Sequence, residues 1–141
     1  MNMPASSISP TPVKAVELTG FGYDHLRSTE RPIGAVGPGE VRVRMRAASL
    51  NYRDHVVITG GYGVAESALP FIPVSDGAGE VIEVGSEVTG WKPGDAVMGG
   101  GKGDCIAEEA VVPSSALVSK PDALSWEEAA CWRAGGVTAW H

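Results

Sequence analysis

The densest chemistry in this chain lies at Asn51-Tyr52-Arg53-Asp54-His55, where a carboxamide, a phenol, a guanidinium, a carboxylate and an imidazole stand in a row. They open the run YRDHVVIT (52–59), which reads as a short helix ended by GGYG at 60–63. Asn51 fits an N-cap, with Asp54 at the N3 position able to bond back to it. A helix start at Tyr52–Arg53 offers free N–H groups and positive partial charge. Arg53 adds a cation there, so a phosphate is a ligand that this turn suits. Asn51 is able to cap the helix and contact such a ligand at once. Tyr52 is a candidate proton donor, because a phenol keeps its proton at neutral pH, and it equally suits a packing aromatic. Tyr62, in the glycine turn, is a second candidate. Asp54 beside His55 resembles an acid–base pair, but helical neighbours point about 100° apart. Asp54 therefore reads as a cap and His55 as a surface residue.

Other reactive groups form no constellation. His25 and His141 stand alone, and the two cysteines, Cys105 and Cys131, make no CxxC pair. Cys131, beside Trp132, reads as a core residue, since free cysteine is so often buried. A dinucleotide site would need a strand, GxGxxG and a helix in succession. GFGYDH (20–25) and GAGEVI (77–82) fail at the last glycine. GGGKGD (99–104) ends in Asp, and Lys102 is not followed by Ser or Thr.

The elements that must position these residues are mostly short strands. The 19 glycines and 10 prolines among 141 residues imply many tight turns. VKAVEL (13–18) reads as a first strand, with an antiparallel partner at 26–30. EVRVRMRA (40–47) alternates Val41, Val43 and Met45 with Arg42, Arg44 and Arg46, the pattern of a half-buried strand with a solvated face. SDGAGEVIEVG (75–85) is a strand in which Gly77 and Gly79 permit close backbone approach. WKPGDAVM (91–98), IAEEAVVP and ALVSKP supply the remaining strands. Ser125 caps a terminal helix, with Glu128 at N3. Residues 1–12, small and Pro-rich, read as a flexible arm or the remnant of a leader. This is the pattern of a small, mostly antiparallel barrel.

A net charge of −6 leaves no basic stripe for a phosphate backbone, so nucleic acid is excluded as a partner. No apolar run reaches the roughly 18 residues of a membrane span. The first residues lack the apolar centre of a signal peptide, and two unpaired thiols fit a reducing, cytoplasmic setting.

Four segments in collinear order carry a family resemblance: PGEVRVRMRAASLNYRD (38–54), LPFIPVSDGAGEVIEVGSEV (69–88), WKPGDAV (91–97) and LSWEEAACWRAGGVTAW (124–140). Together they resemble the N-terminal domain of the medium-chain dehydrogenase/reductase superfamily. The resemblance implies a mainly β fold with short helices, a GroES-like, partly open β-barrel over residues 13–141. SLNYRD (49–54) is most similar to zinc-free members, the quinone oxidoreductases, alcohol-dehydrogenase-like reductases and enoyl reductases. Zinc-dependent relatives carry cysteine at the position of Asn51, a His–Glu pair at Ser75 and Asp76, and cysteine near Ala134. The lobe of four cysteines that holds structural zinc is missing too, since the loop after Asp95 has only Cys105. No zinc is expected.

By the same resemblance the chemistry is hydride transfer from NADP (or NAD) in its reduced form to a quinone, enone or carbonyl. Asn51 and Tyr52 fall where the family lines the cleft beside nicotinamide and pyrophosphate, and Thr138 where a threonine touches the nicotinamide. Some quinone oxidoreductases place a cleft tyrosine near the position of Val56. The nucleotide-binding domain would begin shortly after Trp140, and the chain ends at His141. The expectation is therefore a substrate-side domain, inactive without a nucleotide-binding domain. Its partners would be a small-molecule substrate and either that domain or further copies of the chain. The alternative is a non-enzymatic GroES-like binding module, using the apolar surface of Trp132, Val137 and Trp140 as its contact patch.

Overall fold

A computed structural model of the protein describes residues 11–132. Its strands are Val13–Leu18 (β1), Leu26–Arg31 (β2), Glu40–Ser49 (β3), Asp76–Val84 (β4), Ala96–Gly99 (β5), Glu109–Pro113 (β6) and Leu117–Ser119 (β7). Helix α1 spans Tyr52–Ile58, and a second helix, α2, starts at 126 and is described as far as 132. β1 and β2 form an antiparallel hairpin, Val13 opposite Arg31 and Leu18 opposite Leu26. The other five strands form an antiparallel sheet in the order β6-β3-β4-β5-β7. Residues 106–108 join the two. Val16 N donates to Ile106 O at 3.0 Å, Glu108 N to Lys14 O at 2.9 Å, and Met45 N to Glu108 O at 2.8 Å. The sheet leaves β6 and β7 as edges and does not close, so the fold is the mainly β, partly open GroES-like barrel that the family resemblance implies.

Alternation in β3 builds the main core. Val41 and Val43 pack with Val81, Val97, Ala110, Val112 and Leu117, and Met45 lies against them. Ala47, two residues on, belongs instead to a second cluster with Ala78, Met98, Ala129 and Ala130. The cause is a bulge. Met45 pairs with Gly79 and Ala47 with Ala78, so two residues advance on β3 for one on β4, and side-chain parity reverses. That reversal lets α2 pack on the face opposite the main core. The capping expected of Ser125 is present, its Oγ accepting from Glu128 N at 3.1 Å. Cys131, however, is not a core residue: it is exposed, while Ala129 and Ala130 take the buried positions of α2. Helical phase decides this, because two consecutive alanines already face the sheet and the next residue turns about 100° further. Cys105 is buried.

The arginine face of β3 is tied to neighbouring strands. Arg42 Nε lies 3.1 Å from Glu83 Oε2 and its Nη1 3.5 Å from Glu109 Oε2; Arg46 Nη2 lies 3.1 Å from Glu80 Oε2. Carboxylates from the flanking strands pair with Arg42 and Arg46, which form cross-strand ion pairs on this solvated face.

Asp104 sits at φ 75°, in the left-handed region that Asn and Asp tolerate best. Loss of solvation raises its carboxyl pKa, opposed by the charge of Arg31. A raised folded-state pKa means the folded chain holds this proton more tightly than the unfolded chain. Stability from this group is then complete at acid pH and is lost as pH rises through the folded value. Asp104→Asn keeps the backbone preference and removes the charge. It should raise the urea midpoint at neutral pH, with the gain shrinking to nothing as the carboxyl protonates in acid.

Candidate functional site

The buried polar or charged side chains among the described residues are Asp54, Ser75 and Asp76. Two of them converge on Asn51. Asp76 opens β4 directly opposite Ser49, the last residue of β3, which places its carboxylate beside the turn into α1. Asn51 Nδ2 donates to Asp76 Oδ2 at 3.2 Å and to Ser49 O at 3.2 Å. Asn51 N donates to Asp54 Oδ2 at 2.8 Å, the backward half of the capping box read from the spacing. Asn51 is thus held between two buried carboxylates, and the direction in which α1 leaves the sheet is set by that junction. The role of Asp76 was invisible in the spacing, since its partner is 25 residues away.

With Asp54, Val57 and Ile58 turned inward, α1 presents Tyr52, Arg53 and His55 to solvent. Tyr52 is 78 % exposed, too much for the packing role. Arg53 lies over the Tyr62 ring, its Cζ 5.6 Å from the centroid. The structure therefore brings Asn51, Tyr52, Arg53 and Tyr62 to one helix and its following turn. His55 is a surface residue as expected, but it is not solitary. Its Nδ1 lies 2.7 Å from Tyr23 Oη, with the two rings stacked 5.7 Å apart, and the Tyr52 ring lies tilted to it at 5.6 Å. Thr138, Val137 and Trp140 lie outside the described residues; Trp132 is 59 % exposed. A groove of about 640 Å³ lies elsewhere, between the β1–β2 hairpin, the 45–48 end of β3 and residues 105–108. It includes none of the α1 residues, whose Tyr52, Arg53 and His55 lie on an open face.

A mainly β, partly open barrel with a short capped helix leaving its third strand is a GroES-like domain. Residues 37–122 match the alcohol dehydrogenase GroES-like domain family. A zinc-type alcohol dehydrogenase-like protein of Schizosaccharomyces pombe is 38 % identical over 85 % of this chain and 41 % of its own length. A chloroplastic quinone oxidoreductase of Triphysaria versicolor is 35 % identical over 90 % of this chain and 40 % of its own. Among solved structures, the quinone oxidoreductase of Coxiella burnetii superposes with a TM-score of 0.86 at 31 % identity, covering 92 % of this chain and 43 % of that one. The chain belongs to the medium-chain dehydrogenase/reductase superfamily, through its GroES-like domain. It spans about two fifths of the length of these relatives. No helix among the described residues is long and apolar enough to cross a membrane.

Proposed function

We propose that residues 13–141 are the substrate-side lobe of an NAD(P)H-dependent oxidoreductase acting on a quinone, enone or carbonyl, and that the dinucleotide is held mainly by a separate nucleotide-binding lobe. The observation that carries this reading is the Asn51 junction. A buried carboxylate on each side of Asn51 fixes α1 so that Tyr52 and Arg53 project outward as hydrogen-bond donors. A reduced nicotinamide bound there would supply the hydride to the acceptor. Asn51 would line the nicotinamide side, where the family resemblance also puts Thr138, Arg53 would meet the phosphates, and Tyr52 would contact the cofactor and give the proton that completes the reduced product.

Zinc does not fit the Asn51 junction. The groups that the fold brings together at the junction are Ser49 O, Asp76 Oδ2 and Asn51, whose Nδ2 donates to both. An asparagine amide beside serine and aspartate lacks the thiolates and imidazoles that zinc prefers.

The test is reconstitution. The chain is joined to the nucleotide-binding lobe of the C. burnetii quinone oxidoreductase, and loss of NADPH absorbance is followed with 1,4-benzoquinone and 3-buten-2-one as acceptors. The joined protein should turn over and the isolated chain should not. Steady NADPH oxidation by the isolated chain would remove the need for a second lobe, and a silent joined protein would remove the oxidoreductase reading.

A further inference from the structure

We infer that His55, oriented by Tyr23, is a further contact to a phosphate of the dinucleotide; this rests on the reading that the exposed face of α1 meets that cofactor. Tyr23 lies on a 3-10 turn, Tyr23–His25, that is tied to α1 independently of the pair, Gly22 N donating to Ile58 O at 2.7 Å. The Tyr23 phenol is therefore delivered to His55 by the backbone, and the 2.7 Å contact occupies Nδ1.

The phenol is assigned as the donor in that contact, and the role of the other nitrogen follows from this assignment. With the phenol donating to Nδ1, a neutral imidazole must carry its proton on Nε2, and a charged imidazole carries one there as well. Nε2 is then a donor in either state. Tyr52 and His55 are three residues apart, so both face the same side of α1, and their rings are in contact.

Charge favours an anion over a neutral carbonyl. The exposed polar groups of α1 at Tyr52, Arg53 and His55 are all donors, while its one carboxylate, Asp54, is 4 % exposed and bonded to Asn51. In a chain of net charge −6 such a face is out of keeping with the rest of the surface. Asp24, on the turn beside Tyr23, is the carboxylate contributed by that neighbouring element. Tyr23 is a positioning residue in this arrangement and His55 a binding residue.

The experiment uses the joined protein described above, with NADPH and 1,4-benzoquinone varied separately. His55→Leu should raise the KM for NADPH about tenfold, the loss of one charge-assisted hydrogen bond, with a much smaller change in kcat and in the KM for quinone. His55→Gln, which keeps a donor, should recover part of the loss. Tyr23→Phe should raise the NADPH KM about threefold, by freeing Nδ1 to take the proton, a smaller effect because the ring remains. A His55→Leu protein with an NADPH KM within twofold of the parent overturns the inference and leaves the oxidoreductase reading standing. So does one that changes only the quinone KM. A parent that oxidises no NADPH overturns that reading and the inference with it.

Discussion

Gly79→Ala should destabilise the domain by about 3 kcal/mol, the upper end for forcing atoms into a packed interior. A Cβ at this position would stand 2.2 Å from Arg44 O and 2.7 Å from Val43 Cγ1, with Arg44 C at 3.0 Å. The nearest of these atoms belongs to the backbone of the central strand, so no side-chain rotation relieves the clash. Relief requires β3 and β4 to separate where they pair most extensively, next to the bulge that sends Ala47 to the second core. Against a typical total of about 5–15 kcal/mol, such a loss is a large share of the stability. Urea denaturation should show a midpoint far below that of the parent. Gly34→Ala is the control, since nothing lies within 4 Å of its added Cβ, and it should stay within about 0.5 kcal/mol. Equal midpoints for Gly79→Ala and the parent would mean that β3 and β4 do not approach as described.

Tyr52→Phe should lower kcat of the joined protein about 100-fold, the lower end of what a positioned general acid contributes. Tyr52 is 78 % exposed on a helix start held by Asn51, so removing one hydroxyl leaves packing and capping untouched. The melting temperature should therefore not move, which separates a chemical loss from a folding one. Tyr62→Phe provides the comparison. Its ring stacks with Arg53, and that contact survives loss of the hydroxyl. A Tyr52→Phe enzyme with full kcat, and a Tyr62→Phe enzyme that has lost it, would move the proton donor to the glycine turn.

How far the site could be read in advance follows from the range of each interaction. The start of α1 was legible because Asn51 and Asp54 satisfy each other within a single turn, and residue spacing encodes that bond. The alternation of Val41 and Val43 against the arginines was legible for the same reason, as was the close approach at Gly79. Ala47 was not, because a bulge reverses parity without leaving a mark in the hydrophobic pattern. Cys131 was misjudged because the phase of α2 against the sheet depends on which alanines reach Ala78 and Met98.

The order of amino acids was enough to specify the strands, the capped helix and membership of the family with an alcohol dehydrogenase GroES-like domain. It was enough, too, to gather Asn51, Tyr52 and Arg53 in one turn. It did not specify that Asp76 would hold Asn51, nor that Tyr23 would reach His55 from a turn 32 residues earlier. Those contacts come from the register of β4 on β3 and from the docking of the 23–25 turn on α1. Bonds closed within one helical turn are written in spacing; bonds between distant segments exist only once the sheet has chosen its pairing.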